Sequence, residues 1–216
     1  ANITGMQNDI GRLAWLAGGF PESVPTNTLT MQCPSGMAAT QHAARAIMCG
    51  EGDTYIASGV EDMQKVFMAM HMDFPPRLAN RYNILELPMG NTAEKVAEVY
   101  KVSRADMETM AYWSNKKADE ATKAGKFKNE IIPMEGLKDD GTPFMVETDQ
   151  WIRGDVSMEQ MATMKTPFKP DGVVTAATSS PLTIGAAAIL LMERSKADKL
   201  GLSYSIKYEA GALGGC

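Results

Sequence analysis

A strand–helix–strand pattern between residues 26 and 60 constrains the fold of this chain more than any other feature. The stretch 26–32, TNTLTMQ, is rich in threonine and alternates in character, which is typical of a β-strand. Residues 34–48 show helical spacing of small and apolar side chains, and Gly50 ends that pattern. Residues 54–60, TYIASGV, form a short apolar run that predicts a buried strand. Two strands joined through a helix predict a parallel crossover, and therefore an α/β fold.

The remaining chain divides into a polar middle and an apolar return. Residues 64–88 show no clean period and are interpreted as an excursion from the core, and residues 133–172 are rich in turn formers. AAAILLM at 186–192 is apolar throughout and predicts another buried strand. Further predicted elements are helices ending at Ala17, from Asn91 to Tyr100, from Ser103 to Gly125 and from Ser195 to Leu200, and a strand from Tyr204 to Tyr208. The first residues of the Asn91 helix, Asn-Thr-Ala-Glu, have the form of a capping box.

Composition excludes several classes of protein. Hydrophobic residues make up 44% and charged residues 22% of the sequence, which is ordinary for a globular chain. The formal net charge of −5 argues against a uniformly basic nucleic-acid surface, so no nucleic-acid partner is expected. No apolar run has the length of a membrane span.

The cysteines indicate a reducing environment. Cys33, Cys49 and Cys216 form an odd, sparse set with no CxxC pair, so neither a disulfide framework nor a zinc ribbon is predicted. No metal site is expected, and the cytoplasm or an organelle matrix is the compartment that fits.

Cys33 is the candidate nucleophile. It follows the predicted strand, and Pro34 is expected at the first helical position, where its missing N–H costs nothing. The unpaired N–H groups and partial positive charge of a helix start favour a thiolate over a thiol. Gly36 would permit close approach of a ligand, since it has no side chain. The alternative is a structural cysteine that merely ends a strand. The residues around Cys33 are compatible with both interpretations.

A thiolate needs a proton partner, and the two histidines do not supply an evident one. His42 lies nine residues after Cys33 on the same predicted helix, about 13 Å away at the helical rise, and is interpreted as a surface or packing residue. His71 lies in the irregular excursion and has no predicted place. Cys49 lies at a helix C-terminus, where the dipole disfavours a thiolate, so it is interpreted as structural.

Three stretches resemble the thiolase family. GFPESVPTNTLTMQCPSGMAATQHAARAIMCGEGDTYIASGVEDM resembles its N-terminal region, where a strand leads into Cys-Gly-Ser-Gly, a helix follows, and a strand ends in Gly-Gly-Val-Glu-Ser-Met. PMGNTAEKVAEVYKVSRADMETMAYWSNKKADEATKAGKFKNEIIP resembles the family's loop domain, and TAATSSPLTIGAAAILLMERSKADKLGL resembles the return to the core. These motifs occur in the family's order across nearly the whole chain.

The resemblance implies a thiolase-like α/β fold, with two similar halves in layered αβαβα order and an α-rich loop domain over coenzyme A. It implies an acyl-CoA acyltransferase that cleaves 3-oxoacyl-CoA with CoA, or runs the reverse Claisen condensation, through an acyl-cysteine. Coenzyme A would be a co-substrate, with no permanently bound cofactor. A homodimer or homotetramer is implied.

Carried over by position, Cys33 is the acyl-accepting cysteine and Ser180 lies along the pantetheine arm of CoA. Lys165 stands where a basic residue often lies near the CoA nucleotide. Met89 and Gly90 match the Met-Gly of the acyl-pocket loop.

The chain departs from the family at three of these motifs. Pro88 replaces a histidine common before the Met-Gly pair, Pro34 replaces the usual Gly or Ser after the cysteine, and Ile184 replaces a common Asp. These departures would fit an unusual acyl substrate or lost activity.

The resemblance also implies domain boundaries. Residues 1–63 are part of the N-terminal core, 64–180 the loop domain over CoA, 181–202 the return to that core, and 203–216 the start of the C-terminal half. The family's later motifs, which hold its histidine base and second cysteine, do not occur here, so the sequence is expected to be an internal segment and Cys216 is not the second catalytic cysteine.

Two alternatives accompany the thiolase reading. A non-catalytic CoA-binding or scaffold subunit would retain the fold and would account for Pro34, Pro88 and Ile184. A ketoacyl-synthase-like condensing enzyme shares the fold and a cysteine nucleophile, but the thiolase-like loop domain between Asp62 and Thr178 argues against it.

Overall fold

The computed structural model describes residues 9–63 and 75–214. The chain divides into two compact units, Ala1–Asp73 with Leu182–Cys216, and Phe74–Pro181. The helices are α1 Ile10–Ala17, α2 Ser35–Met48, α3 Pro76–Ala79, α4 Met89–Tyr100, α5 Arg104–Lys123, α6 Met158–Ala162 and α7 Arg194–Lys199, with 3₁₀ turns at Ile84–Glu86 and Ala176–Thr178. The strands are β1 Thr54–Asp62, β2 Met134–Leu137, β3 Pro143–Val146 and β4 Ile184–Met192.

The sheet of the first unit pairs β1 with β4 in antiparallel register, from Thr54 opposite Met192 to Asp62 opposite Ile184. Both strands lie at the apolar runs that the sequence indicated. The expected parallel crossover is not seen, because residues 26–32 form no strand. A strand needs a neighbour to accept and donate its backbone hydrogen bonds, and no described segment pairs with 26–32.

Helix α2 packs against β1 through small side chains. Ala43, Ala44 and Ala46 are buried on the helix, and Ala57 is buried on the strand. Short side chains on both elements let the helix approach the sheet closely. Met37 and Met48, which also belong to the helical pattern of residues 34–48, are exposed.

The two apolar strands are formed as predicted, but apart from Ala57 their residues are not buried among the described residues. Ile184, Ile189 and Leu190 of β4 are 61%, 50% and 60% exposed. Among the described elements, α2 makes the main packing contact with this sheet, mostly through β1. Much of the sheet's apolar surface therefore remains open in this structure.

Helix α7 is joined to the start of β1 by an ion pair. Lys196 Nζ lies 2.6 Å from Asp53 Oδ1. This hydrogen bond, with a second from Thr54, lowers the pKa of Asp53 from its ordinary value. The predicted helix at 195–200 is confirmed within one residue at each end, whereas the predicted strand from Tyr204 to Tyr208 is wrong, because that segment is coil with no strand beside it.

In the second unit, α5 has the ends that the sequence predicted. Ser103 is its N-cap, and its side chain accepts from Asp106 N. Gly125, just beyond the helix, has φ +69°, the left-handed conformation that glycine adopts readily after a helix.

Helix α4 begins earlier than predicted. Its N-cap is Pro88, and Met89 and Gly90 form its first two residues. Asn91 therefore lies inside the helix, where its side chain donates to Leu85 O at 2.6 Å. The predicted capping box is wrong, and Glu94 has a different partner, described below.

Candidate functional site

Cys33 lies in the turn that leads into α2. Pro34 is the N-cap of this helix rather than its first residue, so Cys33 precedes the cap by one position. The thiol-bearing residue is exposed and forms no disulfide. The structure thus presents Cys33 next to a helix start, as predicted, with a shift of one residue.

The turn around Cys33 is held by Ser35. Ser35 N donates to Gln32 O at 3.0 Å, and Ser35 Oγ donates to the same carbonyl at 2.6 Å. Met31 N in turn donates to Ser35 Oγ at 2.7 Å. Gln32 has φ +56°, a left-handed conformation that is uncommon for a residue with a side chain. Non-glycine residues held in this way cluster at functional sites, where the strain is maintained by surrounding contacts.

The start of α2 has no side-chain cap. Pro34 makes no capping hydrogen bond, and Ser35 N donates to Gln32 O. The amides of Gly36 and Met37 are therefore the ones in the first turn without an intrahelical acceptor, at the positive end of the helix dipole. A Cβ placed on Gly36 would meet no atom within 4 Å, so the space beside the helix start is open. Such amides can stabilise a thiolate, or the oxyanion that forms when a thiolate attacks a carbonyl.

The described residues bring no histidine to Cys33. His42 is exposed on α2 and lines a cavity of about 420 Å³ together with Arg45 and Cys49, whereas Cys33 is not part of that lining. Cys49 is the C-cap of α2, at the helix end that the sequence predicted, and it is exposed. His71 and Cys216 lie outside the described residues.

Met89 and Gly90, expected in an acyl-pocket loop, lie instead in the first turn of α4. Met89 is 70% exposed. A Cβ on Gly90 would collide with the ring of Phe168, so the absence of a side chain at Gly90 is required for packing inside the second unit.

Lys165 is exposed and follows a backbone segment that Arg104 holds. The Arg104 guanidinium donates to the carbonyls of Met161, Ala162 and Met164 at 2.9, 3.0 and 2.8 Å. Its Nε also pairs with Glu108 Oε1 at 2.7 Å, and Glu108 is buried. The start of α5 therefore fixes the chain directly before Lys165.

Ser180 is also exposed, after the 3₁₀ turn Ala176–Thr178. That turn is closed by the backbone of Thr175, whose N–H donates to Thr178 Oγ1 at 3.0 Å and whose carbonyl accepts from Thr178 N at 3.2 Å. Ser180, Lys165, Met89 and Gly90 all belong to the second unit, and Cys33 belongs to the first.

Sequence reasoning missed the residues that hold the candidate site segments. Glu94 and Arg104 contact backbone groups that are far away in the sequence. Ser35 contacts backbone groups of the turn that precedes it. The one local signal was Ser35 itself, since serine near a helix start commonly bonds backbone groups. Among residues 9–63 and 75–214, no group of histidine, cysteine and acidic side chains could hold a metal ion, and no helix in those ranges is long and apolar enough to cross a bilayer.

An α/β unit that presents an exposed cysteine at an uncapped helix start defines a candidate cysteine-nucleophile protein. Comparison with known proteins gives the family. The chain belongs to the thiolase family, since residues 2–195 match the family model described as the thiolase N-terminal domain. The thiolase-like α/β fold expected from the sequence is thereby confirmed.

Relatives and solved structures agree with that assignment. The chain is 42% identical to the 3-ketoacyl-CoA thiolase of Pseudoalteromonas translucida (strain TAC 125), over 96% of this chain and 54% of the relative. It is 39% identical to the 3-ketoacyl-CoA thiolase of Bacillus subtilis (strain 168), over 97% of this chain and 55% of the relative.

Two solved structures show the same fold. The dimeric peroxisomal thiolase of Saccharomyces cerevisiae superposes with a TM-score of 0.80 at 34% identity, over 88% of this chain and 49% of that one. The acetyl-CoA acetyltransferase from Syntrophomonas wolfei gives 0.77 at 28% identity, over 93% and 53%. The chain thus spans about half the length of the relatives it matches.

Proposed function

We propose that this chain provides the acyl-accepting cysteine of a thiolase-type acyl-CoA acyltransferase, and that the cysteine is Cys33. The observation that carries the proposal is the exposed Cys33 in a strained turn before an uncapped helix. The reaction is thiolytic cleavage of a 3-oxoacyl-CoA with CoA, or its reversal as a Claisen condensation. Relatives at about 40% identity that are named 3-ketoacyl-CoA thiolases support it.

The chemistry follows from the position of Cys33. Its thiolate attacks the 3-oxo carbonyl, a sulfur–carbon bond forms, and the bond between the second and third carbons breaks. The electron pair leaves on the second carbon, which takes a proton and departs as acetyl-CoA. The thiolate of a second CoA then displaces Cys33 from the acyl group. The amides of Gly36 and Met37, in the first turn of α2, would hold the oxyanion in both steps.

CoA recognition is proposed for residues of the second unit. Ser180 would lie along the pantetheine arm, Lys165 near the nucleotide phosphates, and Met89 and Gly90 at the acyl group. Ser180, Lys165 and Met89 are exposed, so they can contact a ligand, whereas Gly90 is constrained by Phe168. Coenzyme A acts as a co-substrate, and no permanently bound cofactor is proposed.

The loop-domain role is proposed for residues 64–180, as a cover for CoA. The assembly proposed is a homodimer or homotetramer, in keeping with the dimeric yeast thiolase among the similar structures. A reducing environment, in the cytoplasm or an organelle matrix, would keep the Cys33 thiol available. The non-catalytic scaffold alternative is not favoured, because the similar relatives are named as enzymes.

Substitution of the nucleophile tests the proposal. In the protein as its host produces it, Cys33→Ala should lower thiolytic cleavage of acetoacetyl-CoA by at least about 10⁴-fold, because the nucleophile that forms the acyl thioester is removed. Cys49→Ala, at the exposed C-terminal end of the same helix, is the matched control and should retain activity. Turnover by Cys33→Ala close to that of Cys49→Ala would contradict the proposal.

A further inference from the structure

Glu94 is a buried carboxylate in the second unit. Glu94 lies on α4 and is only 5% exposed. Val173 N donates to both carboxylate oxygens, at 2.9 and 3.0 Å, and Val174 N donates to Oε1 at 2.8 Å. A buried carboxylate is costly unless hydrogen bonds replace its water, and here two backbone amides do so.

The bound segment has no regular structure of its own at this point. Residues 173–175 are neither helix nor strand, so their amides lack the usual backbone partners. Asp171 turns the chain with φ +54°. A Cβ on the next residue, Gly172, would collide with the Glu94 carboxylate. The turn and the glycine together bring the backbone against Glu94.

The order imposed at Val173 and Val174 continues to Ser179. Thr175 is fully buried, and its N–H donates to Thr178 Oγ1 at 3.0 Å. Ser179 Oγ donates to Thr175 O at 2.8 Å. Ser180, directly after this run, is exposed. Hydrogen bonds therefore hold the backbone at successive points from the Glu94 carboxylate to Ser179, the residue before Ser180.

We propose that Glu94 is a positioning residue for CoA recognition. It holds segment 173–180 so that Ser180 is presented to the pantetheine arm. This inference rests on the proposed function, which assigns Ser180 that contact. A carboxylate suits the task because Val173 N and Val174 N together use both of its oxygens. A glutamine side chain has only one acceptor oxygen. Its NH₂ group would replace the second carboxylate oxygen and would place a donor against the backbone N–H donors.

Substitution Glu94→Gln tests the inference with little change in shape. In the protein as its host produces it, the variant should raise the dissociation constant of CoA, and KM for acetoacetyl-CoA, about tenfold, since charge-assisted hydrogen bonds are lost. The value of kcat should stay within about twofold, because Glu94 does not touch the reacting atoms. Glu120→Gln makes the same chemical change at an exposed position on α5 and should leave both constants unchanged.

A double-mutant cycle separates positioning from general stability. Ser180→Ala should raise the CoA dissociation constant, and adding Glu94→Gln should cause little further loss, because the two residues act through one contact. Independent, multiplicative losses would overturn the inference. An unchanged dissociation constant in folded Glu94→Gln would overturn it while leaving the proposed function standing.

Amide hydrogen exchange supplies a reading that needs no variant. In the natural protein, CoA should slow exchange across residues 173–180 by about tenfold, because the ligand adds a contact to the segment that Glu94 holds. CoA binding without any change in this segment would overturn the inference together with the proposed Ser180 contact, and would leave the role of Cys33 standing. Failure of the natural protein to bind CoA would overturn the proposed function together with it.

Discussion

Cys33 owes its exposure to its neighbours rather than to its own contacts. The Ser35 hydroxyl joins the backbone of Met31 and Gln32, because it accepts from Met31 N and donates to Gln32 O. Gln32, one of these two bonded positions and the residue before Cys33, has a left-handed backbone conformation. The cysteine thus projects from a turn whose geometry is fixed on both sides, which is what a nucleophile requires if it must meet a substrate in one orientation.

At the same scale, Gly90 gives a prediction about stability. Gly90→Ala should lower the free energy of unfolding by about 1–3 kcal/mol, because the added methyl group displaces the Phe168 ring. Chemical denaturation of the purified protein measures the change. Gly36→Ala is a matched control, since Gly36 is likewise the second residue of its helix and has open space around it. A Gly90→Ala variant as stable as Gly36→Ala would show that Phe168 does not require the glycine.

The sequence could indicate Cys33 but not the residues that position the second unit. Cys33 could be predicted as a candidate nucleophile because a strand-like stretch, a proline and a helical pattern adjoin it in the sequence. Glu94 was interpreted as a local cap, since an Asn lies three residues before it. Its true partners, Val173 and Val174, are 79 and 80 residues away, and no local pattern reports such a pairing.

Among the elements, α5 was predictable and residues 26–32 were not. Helix α5 has a serine cap and a terminal glycine, so both of its ends are encoded locally. The Thr-rich stretch 26–32 has strand propensity, but a strand also depends on a partner. Strands β1 and β4 pair in antiparallel register although more than a hundred residues separate them in the sequence. The local pattern of side chains does not specify which strand pairs with which.

The junction of α5 with α6 gives an element-scale prediction. Arg104→Lys should lower the free energy of unfolding by about 1–3 kcal/mol. The planar Arg104 guanidinium bonds three backbone carbonyls and Glu108 at once, and the compact ammonium group of lysine cannot keep all four of these bonds. Arg77→Lys, at an exposed position on α3, should leave stability unchanged. Thermal unfolding of the two variants compares them directly. Equal melting temperatures would mean that the Arg104 hydrogen bonds contribute no net stability.

At the scale of the whole molecule, the chain carries thiolase-family structure in two compact units. The first contains Cys33 and the β1–β4 sheet, and the second contains the residues proposed to contact CoA. The apolar surface of β4 is open in this structure, and the chain spans about half of the relatives' length. Tests of the proposed function therefore use the protein as its host produces it.

The central claim, that Cys33 carries the acyl group, is tested most directly by mass spectrometry. After brief incubation of the natural protein with acetyl-CoA and acid quenching, the peptide that contains Cys33 should gain the mass of one acetyl group. The label should be lost on treatment with hydroxylamine, which cleaves thioesters, and should be absent from Cys33→Ala. Acetylation that is missing from Cys33, or found instead on Cys49, would contradict the account.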